Sequence, residues 1–328
     1  MSPKMPDRKP FFTSRKYLDF DEFEEAIRSW QLEILRLDNR PTKNVLTQFD
    51  TGEMLVSHAL FTGRTHQTGD PPNGLLTCAV LADPTSHLIW RKKEISPNQL
   101  MIFHPGSEID SVTRGKLVEV FTFSFSLEFI CHFTAVGKSC DGKNILSSDE
   151  LIELPAPIIE DLRKCSSSAL SSLRQDASLI ENKQFQYSVN IQIAENLASC
   201  LPFYNPQDGH RLAEKRRRIW QQIEAYIRAN NQRHLLVKEV ASQVGISEST
   251  LLRTFKSRYG MPPKAYLNAH RLNAVRRILK RSPSRKGKII EVANALGFWH
   301  MGQFAKDYKK LFGELPSETF RRMTIRRD

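Results

Sequence analysis

A unit repeated near the C-terminus constrains this chain more than any other feature. Glu239-Val240-Ala241 and Gly245 recur 52 positions on as Glu291-Val292-Ala293 and Gly297. Beyond that turn the offset becomes 53: Arg253 maps to Lys306, Phe255 to Tyr308, Lys256 to Lys309, Gly260 to Gly313 and Pro263 to Pro316. One extra residue therefore sits in the second turn, Phe298-Trp299-His300 against Ile246-Ser247. Each copy reads as a short helix, a turn and a second helix, expected at about 237–259 and 289–312. This is helix–turn–helix spacing. Ser247 suits an N-cap, where its hydroxyl accepts from an otherwise unpaired amide. Gly245 falls where two crossing helices need a residue that tolerates positive φ. Between the copies, PPKAYLNAHRLNAVRRILKR (262–281) predicts about 19 helical residues, roughly 28 Å at 1.5 Å each. Ahead of them, RIWQQIEAYIRAN (218–230) puts Ile219, Ile223, Tyr226 and Ile227 on one helical face.

The charge distribution says what such a unit meets. The 328 residues carry a formal net charge of +12, but residues 211–328 alone hold 27 Lys+Arg against 9 Asp+Glu, while residues 1–210 sum to −6. A basic third joined to a mildly acidic remainder is the footprint of one domain facing a polyanion. The cations are spread over several short helices rather than one amphipathic stripe, which favours nucleic acid over a membrane surface. Two helix–turn–helix units on a helix of that length can address successive major-groove faces about 34 Å apart.

The remainder reads as a separate domain, because 328 residues exceed what one hydrophobic core usually serves. DEFEEAIRSWQLEILRL (21–37) predicts a helix, with Phe23, Ile27, Trp30, Ile34 and Leu37 at helical spacing. From about 45 to 126 the runs EMLVSHALF (53–61), GLLTCAVLA (74–82), SHLIWRK (86–92) and LVEVFTFSFS (117–126) are punctuated by TGDPPNG (68–74) and HPGSE (104–108). Strands broken by Gly/Pro turns predict a β-meander or small barrel. From about 127 to 200 helical patterns return, interrupted by the Ser-rich CSSSALSSLRQDAS (165–178). The sequence thus predicts an α+β chain: residues 1–200 barrel-like plus helices, a linker at 201–214, and an all-α double helix–turn–helix domain at 215–322. In YSVNIQIAENLASCL (187–201), Val189, Ile193, Leu197 and Leu201 share a face, which is either a dimer seam or the core side of a helix.

Other classes find little support. The five cysteines, at 78, 131, 140, 165 and 200, contain no CxxC pair, so a disulfide framework or four-Cys zinc site is disfavoured. Reduced, mostly buried thiols are expected, with Cys131–Cys140 the one conceivable redox pair. The opening MSPKMPDRKP is polar and reads as no secretory signal. The most apolar stretch, 117–131, is broken by Glu119 and Glu128, so no membrane span is expected. A cytoplasmic location follows as the expectation. No P-loop, dinucleotide glycine pattern, HExxH or GxSxG occurs, so no enzyme and no cofactor is expected. His104 and Glu108 flank a Pro-Gly turn, which is weak ground for a metal.

The repeat also carries a family resemblance. Through LVKEVASQVGISESTLLRTFKSRYGMPPKAYLNAHRLNAVRRIL and EVANALGFWHMGQFAKDYKKLFGELPSETFRR, residues 215–322 resemble the DNA-binding domain of AraC/XylS-type transcriptional regulators. These segments cover about a third of the chain. The resemblance implies an all-helical domain whose second helix in each pair enters the major groove. It further implies an N-terminal portion that senses a small molecule or mediates dimerisation, and a bacterial regulator, most often an activator. The implied partners are double-stranded DNA, a small-molecule effector, a second copy of the chain and the transcription machinery.

Within that frame the recognition helices give named candidates. In the first, Leu251 and Phe255 fall on the buried face, while Glu248, Ser249, Leu252, Arg253 and Lys256 share the outward one. Arg253 can bond guanine O6 and N7 together, Leu252 suits a thymine methyl, and Ser249 reaches a base edge. Glu248 accepts from a cytosine amine or aims Arg253. Lys256 and Arg258 are read as phosphate contacts, which position without reading sequence. In the second, Phe298, Phe304 and Tyr308 read as core, and Trp299 as packed beside them or covering the turn. Gln303 and Lys306 correspond to Thr250 and Arg253 as base-edge candidates, with Met301 adding an apolar contact. His300, Lys309 and Lys310 are the phosphate candidates. The family pattern has a small hydroxyl residue where this chain has Gly302 and a polar cap where it has His300. Gly302 weakens a helix but permits close backbone approach. The cations of SPSRKGK (282–288) and KRRR (215–218) are phosphate or minor-groove contacts or merely solvated. Two rival readings stand beside this one, a constitutive architectural DNA binder and an N-terminal enzyme fused to a DNA-binding domain.

Overall fold

The structure, a computed structural model, describes residues 8–126, Phe129, 150–200, 220–230, 235–281 and 287–325, except 28–29, 31, 92, 116 and 221. The expected linker at 201–214, the KRRR run, Ile219, Leu201, Cys131, Cys140 and residues 282–286 of the SPSRKGK loop lie outside the described residues. The chain divides into two compact units. The first is Met1–Glu33, Thr42–Thr62 and Gln67–Asp208; the second is Ile34–Pro41, Gly63–His66 and Gly209–Asp328.

The chain begins with β1 (Phe11–Tyr17), α1 (Phe20–Ala26), β2 (Glu33–Arg36), β3 (Asn44–Asp50) and β4 (Met54–Thr62). β5 (Thr65–Gly69), β6 (Leu76–Leu81), β7 (Leu88–Trp90) and β8 (Lys93–Glu94) follow. β9 (Gln99–Phe103), β10 (Ile109–Thr113), β11 (Leu117–Phe125) and β12 (Glu150–Glu153) complete the strands. They form two sheets, ordered β1-β3-β4-β11-β6-β9-β12 and β2-β5-β10-β7-β8. The layout is therefore two open sheets with long crossovers rather than a meander or a closed barrel. β11 lies at the centre of the larger sheet, antiparallel to both β4 (Phe121↔His58) and β6 (Phe121↔Val80).

Alternation along the strands sorts side chains onto two buried faces. On one face of the larger sheet, Val56, Cys78, Val80, Ile102, Phe121 and Phe123 pack with Leu162, Leu173, Ile193 and Leu197. Those four belong to α2 (Ala156–Gln175) and α3 (Lys183–Ser199), which a short 3₁₀ turn at Ala177–Glu181 connects. On the other face, Ala79, Met101, Phe103 and Val120 pack with Trp30, Leu88 and Trp90. The helix pair and the smaller sheet thus cover opposite faces of the central one. Between the sheets lies a cavity of about 70 Å³, walled by Trp30, Phe61, Ala79, Trp90, Met101 and Val120 among others.

Two expectations for this half need correction, and one open alternative is resolved. Among the described residues, the helix predicted over 21–37 is α-helical only at Phe20–Ala26, and Glu33–Arg36 is a strand. Phe23, Ile27, Trp30, Ile34 and Leu37 are all buried, so the apolar positions were read correctly but their period was an accident of two different elements. The Ser-rich stretch does not interrupt the helix through 165–175. α2 runs through it, with Ser166 Oγ donating to the Leu162 carbonyl at 2.7 Å, a local bond that satisfies the hydroxyl inside a helix. The 187–201 face is core: Val189, Ile193 and Leu197 are buried in the cluster beneath the larger sheet. Cys78, Cys165 and Cys200 are free thiols. Burial is the main cause that raises all three, Cys165 to about 11 and Cys200 to about 12, which leaves them unreactive.

In the second unit, residues 222–229 are helical. α4 (Val237–Val244), α5 (Glu248–Tyr259), α6 (Pro263–Arg281), α7 (Lys288–Ala295), α8 (Met301–Phe312) and α9 (Pro316–Ile325) follow. The sequence repeat is a structural repeat. Val240 and Val292, Ala241 and Ala293, and Phe255 and Tyr308 are buried pairwise. Gly245 and Gly297 have φ of 71° and 76°, and Gly260 and Gly313 close α5 and α8 at 68° and 77°. A Cβ is strained in this left-handed region, which is why glycine recurs at these four points.

Candidate nucleic-acid interface

The first recognition helix, α5, starts at Ser247, whose Oγ accepts from the Thr250 amide at 3.2 Å and lies 2.9 Å from Ser249 Oγ. Leu251 and Phe255 are fully buried, and Phe255 packs on Trp220 and Tyr266 with ring centroids 5.3 Å apart in each case. With that stripe held inward, Glu248, Ser249, Leu252, Arg253 and Lys256 face solvent. Leu252 is 38% exposed. The predicted outward face is thus presented as one surface.

Arg258 departs from its reading as a phosphate contact. It is buried, its Nη2 lies 3.1 Å from Glu224 Oε1, and its guanidinium stacks over the Trp220 ring at 4.7 Å. Glu224 also accepts from Tyr259 Oη at 3.3 Å. Burial holds the Tyr259 phenol well above its ordinary range, so it stays a donor. Arg258 is an internal brace. Its spacing carried the signal, since 251, 255 and 258 form an i, i+4, i+7 stripe.

The second recognition helix, α8, buries Phe304 and Tyr308 and leaves Gln303, Lys306, Lys309 and Lys310 exposed, with Met301 half-buried. His300 is exposed at the N-cap and makes no side-chain capping bond. Gln303 Nε2 donates to Asp307 Oδ1 at 2.8 Å one turn on, and Asn268 Nδ2 of α6 reaches Asp307 Oδ2 at 3.4 Å. Gln303 is therefore oriented before any ligand arrives. A Cβ built on Gly302 meets nothing within 4 Å, so packing within this chain does not require glycine there. Trp299 does not pack beside Phe298 and Phe304; it is 72% exposed in the turn.

The linker helix fixes the second unit through side chains that the sequence reading counted only as charge. Arg271 Nη1 donates to the carbonyls of Leu296 and Gly297 at 3.4 and 3.3 Å, and its guanidinium lies over Phe298 at 4.5 Å. Burial lowers its basicity. Buried Arg276 pairs with Glu314, donates to Thr319 Oγ1 at 3.2 Å and stacks over Phe312 at 4.8 Å. Tyr308 Oη lies 2.9 Å from Thr319 Oγ1, and burial pushes its phenol up to about 12. Arg276 follows Leu272 by four positions and precedes Leu279 by three, so its place on the apolar face was also visible in the spacing.

Paired helix–turn–helix units joined by one braced helix, each with a cationic outward face, define a double helix–turn–helix module. Residues 240–322 match the family described as a helix-turn-helix domain, and this region is a domain of the AraC/XylS type. The XylDLEGF operon transcriptional activator of Pseudomonas putida is 31% identical over 102 residues, 31% of this chain and 32% of the relative. A probable thc operon regulatory protein of Rhodococcus erythropolis is 36% identical over 101 residues, 31% of this chain and 30% of the relative. The match spans about a third of the length of these curated relatives. Among solved structures, the AraC-like transcriptional activator CuxR aligns with 80% of this chain and 94% of its own, at 11% identity and a TM-score of 0.43. A probable AraC family regulator from Rhodopseudomonas palustris CGA009 aligns with 32% of this chain and 97% of its own, at 31% identity and a TM-score of 0.29. Among the described residues, no helix is long and apolar enough to cross a membrane.

Proposed function

We propose that this chain is a sequence-specific transcriptional regulator, an activator, that docks its two helix–turn–helix units in successive major grooves. The observation that carries this reading is the pair of matched outward faces. Arg253 and Lys256 on α5, and Lys306, Lys309 and Lys310 on α8, stand exposed on helices whose other sides are locked into cores. Arg253, Leu252 and Ser249 in one unit and Met301, Gln303 and Lys306 in the other read base edges. Lys256, His300, Lys309 and Lys310 take phosphates. Residues 1–200 bind a small-molecule effector or a second copy of the chain and control residues 215–322 across a linker at 201–214. The protein works in the cytoplasm with the transcription machinery and has no catalytic activity of its own.

Selection of fragments of the source genome by the full-length protein at near-physiological salt tests this, followed by transcription from the selected promoters in vitro. The expected result is a small set of enriched promoter fragments whose transcription rises with added protein. Uniform retention of all fragments, with one salt slope, would instead establish an architectural binder.

A further inference from the structure

Resting on the reading of α8 as a recognition helix, we infer that Trp299 is a further specificity residue of the second unit, its indole packing against a thymine methyl in the major groove. The ring is left over from the fold. It stands one residue before the His300 N-cap, a position from which an apolar side chain ordinarily staples the fourth residue of the helix. That residue is Phe304, and Phe298 already holds it, with ring centroids 5.1 Å apart. Phe304 continues into Tyr308 and Phe312, a row of rings that Trp299 does not join. It stays 72% exposed, whereas Trp30, Trp90 and Trp220 are no more than 7% exposed.

The backbone that carries this ring is fixed on both sides. On one side, the Phe298 amide donates to the Ala293 carbonyl at 2.9 Å, and the Arg271 guanidinium lies over the Phe298 ring at 4.5 Å. Arg271 also donates to the carbonyls of Leu296 and Gly297. On the other side, the His300 carbonyl accepts from the Phe304 amide at 2.9 Å. Trp299 is thus presented from a set point at the N-terminal end of α8. That is the end of a recognition helix whose residues contact base edges, and a tryptophan ordered there loses little side-chain freedom.

Comparison of the two copies gives the ring its task. The first unit offers an apolar contact from Leu252, exposed on α5. The matching residue of α8, 53 positions on, is Ala305, a half-buried single methyl. The second unit instead has one more residue in its turn, and its large apolar side chain stands there. The surroundings are cationic and polar: His300, Gln303, Lys306, Lys309 and Lys310 are exposed. Asp307, the one carboxylate of α8, is held by Gln303 and Asn268. An aromatic ring in such a setting suits a polyanion that also offers apolar groups. On the major-groove edges of the bases the apolar group is the thymine methyl, while cytosine presents an amine donor. An indole arriving there therefore selects thymine over cytosine.

The test measures affinity of the full-length protein for an operator fragment selected from the genome. It is repeated on copies in which each thymidine in turn is replaced by deoxyuridine, which removes only the methyl. Trp299→Ala should weaken the parent fragment about tenfold. Its salt slope should not change, because an apolar contact releases no counter-ion, and its thermal midpoint should hold, because the ring is exposed. One deoxyuridine should cost the wild type about fourfold, the worth of one buried methyl, and cost Trp299→Ala nothing more, so that the two changes are coupled. Trp299→Phe should keep most of the affinity and the same coupling. Lys306→Ala serves as the control. If it weakens binding while Trp299→Ala binds like the wild type, the inference is overturned and α8 remains a recognition helix. If neither variant weakens binding, the reading of α8 falls as well. A loss in Trp299→Ala that is coupled to no thymine would place the ring on the sugar–phosphate backbone, or on the protein itself where the thermal midpoint also drops, and would overturn the thymine assignment.

Discussion

At the scale of the residue, two neighbouring cations on α5 make opposite predictions. Lys256 is exposed and Arg258 is buried against Glu224 and Trp220. Lys256→Ala should leave thermal stability within error and reduce the salt slope of DNA binding by about one. Arg258→Ala should destabilise the fold by roughly 3 kcal/mol, because it removes a buried guanidinium from both its ion pair with Glu224 and its packing on Trp220, and should leave the salt slope unchanged under conditions where the variant is folded. Thermal denaturation and salt titration of both variants check this; equal salt slopes for the two would contradict the assignment. Gly302 offers a second residue-level contrast. Gly302→Ala should raise stability by about 0.5–1 kcal/mol, since helix propensity improves and the added methyl meets nothing. If the backbone there lies against DNA, operator affinity should fall at the same time. A stabilised variant with unchanged affinity would remove Gly302 from the interface.

At the scale of the element, α5 depends on its cap. Ser247→Ala removes the acceptor for the Thr250 amide and should cost about 1 kcal/mol, read as a lower midpoint in urea. A second element-level prediction concerns β4 and β11, where His58 Nε2 lies 3.0 Å from Glu119 Oε2 across the pair. Burial lowers the His58 pKa, against the opposing pull of Glu119. The neutral ring is therefore favoured in the fold, and its contribution is fully present above the unfolded value of about 6.5 and lost as pH falls through it. Thermal stability should drop between pH 7.5 and 5.5, and His58→Gln should flatten that drop. An identical slope in the variant would rule His58 out as its source.

Elements also show what was legible in advance. The double helix–turn–helix was readable because glycines, a serine cap and paired apolar positions recur at one offset, and each has a local physical cause. The helix at 21–37 was misread because buried positions in a short helix and the following strand happened to fall at helical spacing. β1 is not legible in the sequence because it is an edge strand in which the consecutive Ser14, Arg15 and Lys16 are all exposed, so it shows no apolar alternation. Arg258, Arg271 and Arg276 were counted as surface charge although two of them sat on apolar faces. The cavity was invisible, because its walls come from strands far apart in sequence.

At the scale of the whole molecule, the account rests on polarity between its parts. All of the net positive charge lies in residues 211–328, the remainder being net negative, so DNA affinity should fall steeply with salt on any duplex, while specificity resides in a few base-edge side chains. Arg253 is the strongest of these. The most direct measurement is guanine-N7 methylation protection on an operator selected from the genome, comparing wild-type protein with Arg253→Ala. The account predicts two clusters of protected guanines about one helical turn apart, with the mutant losing one cluster and keeping the other. A single continuous protected region, or two clusters equally retained by the mutant, would contradict the claim that each unit reads its own major-groove face.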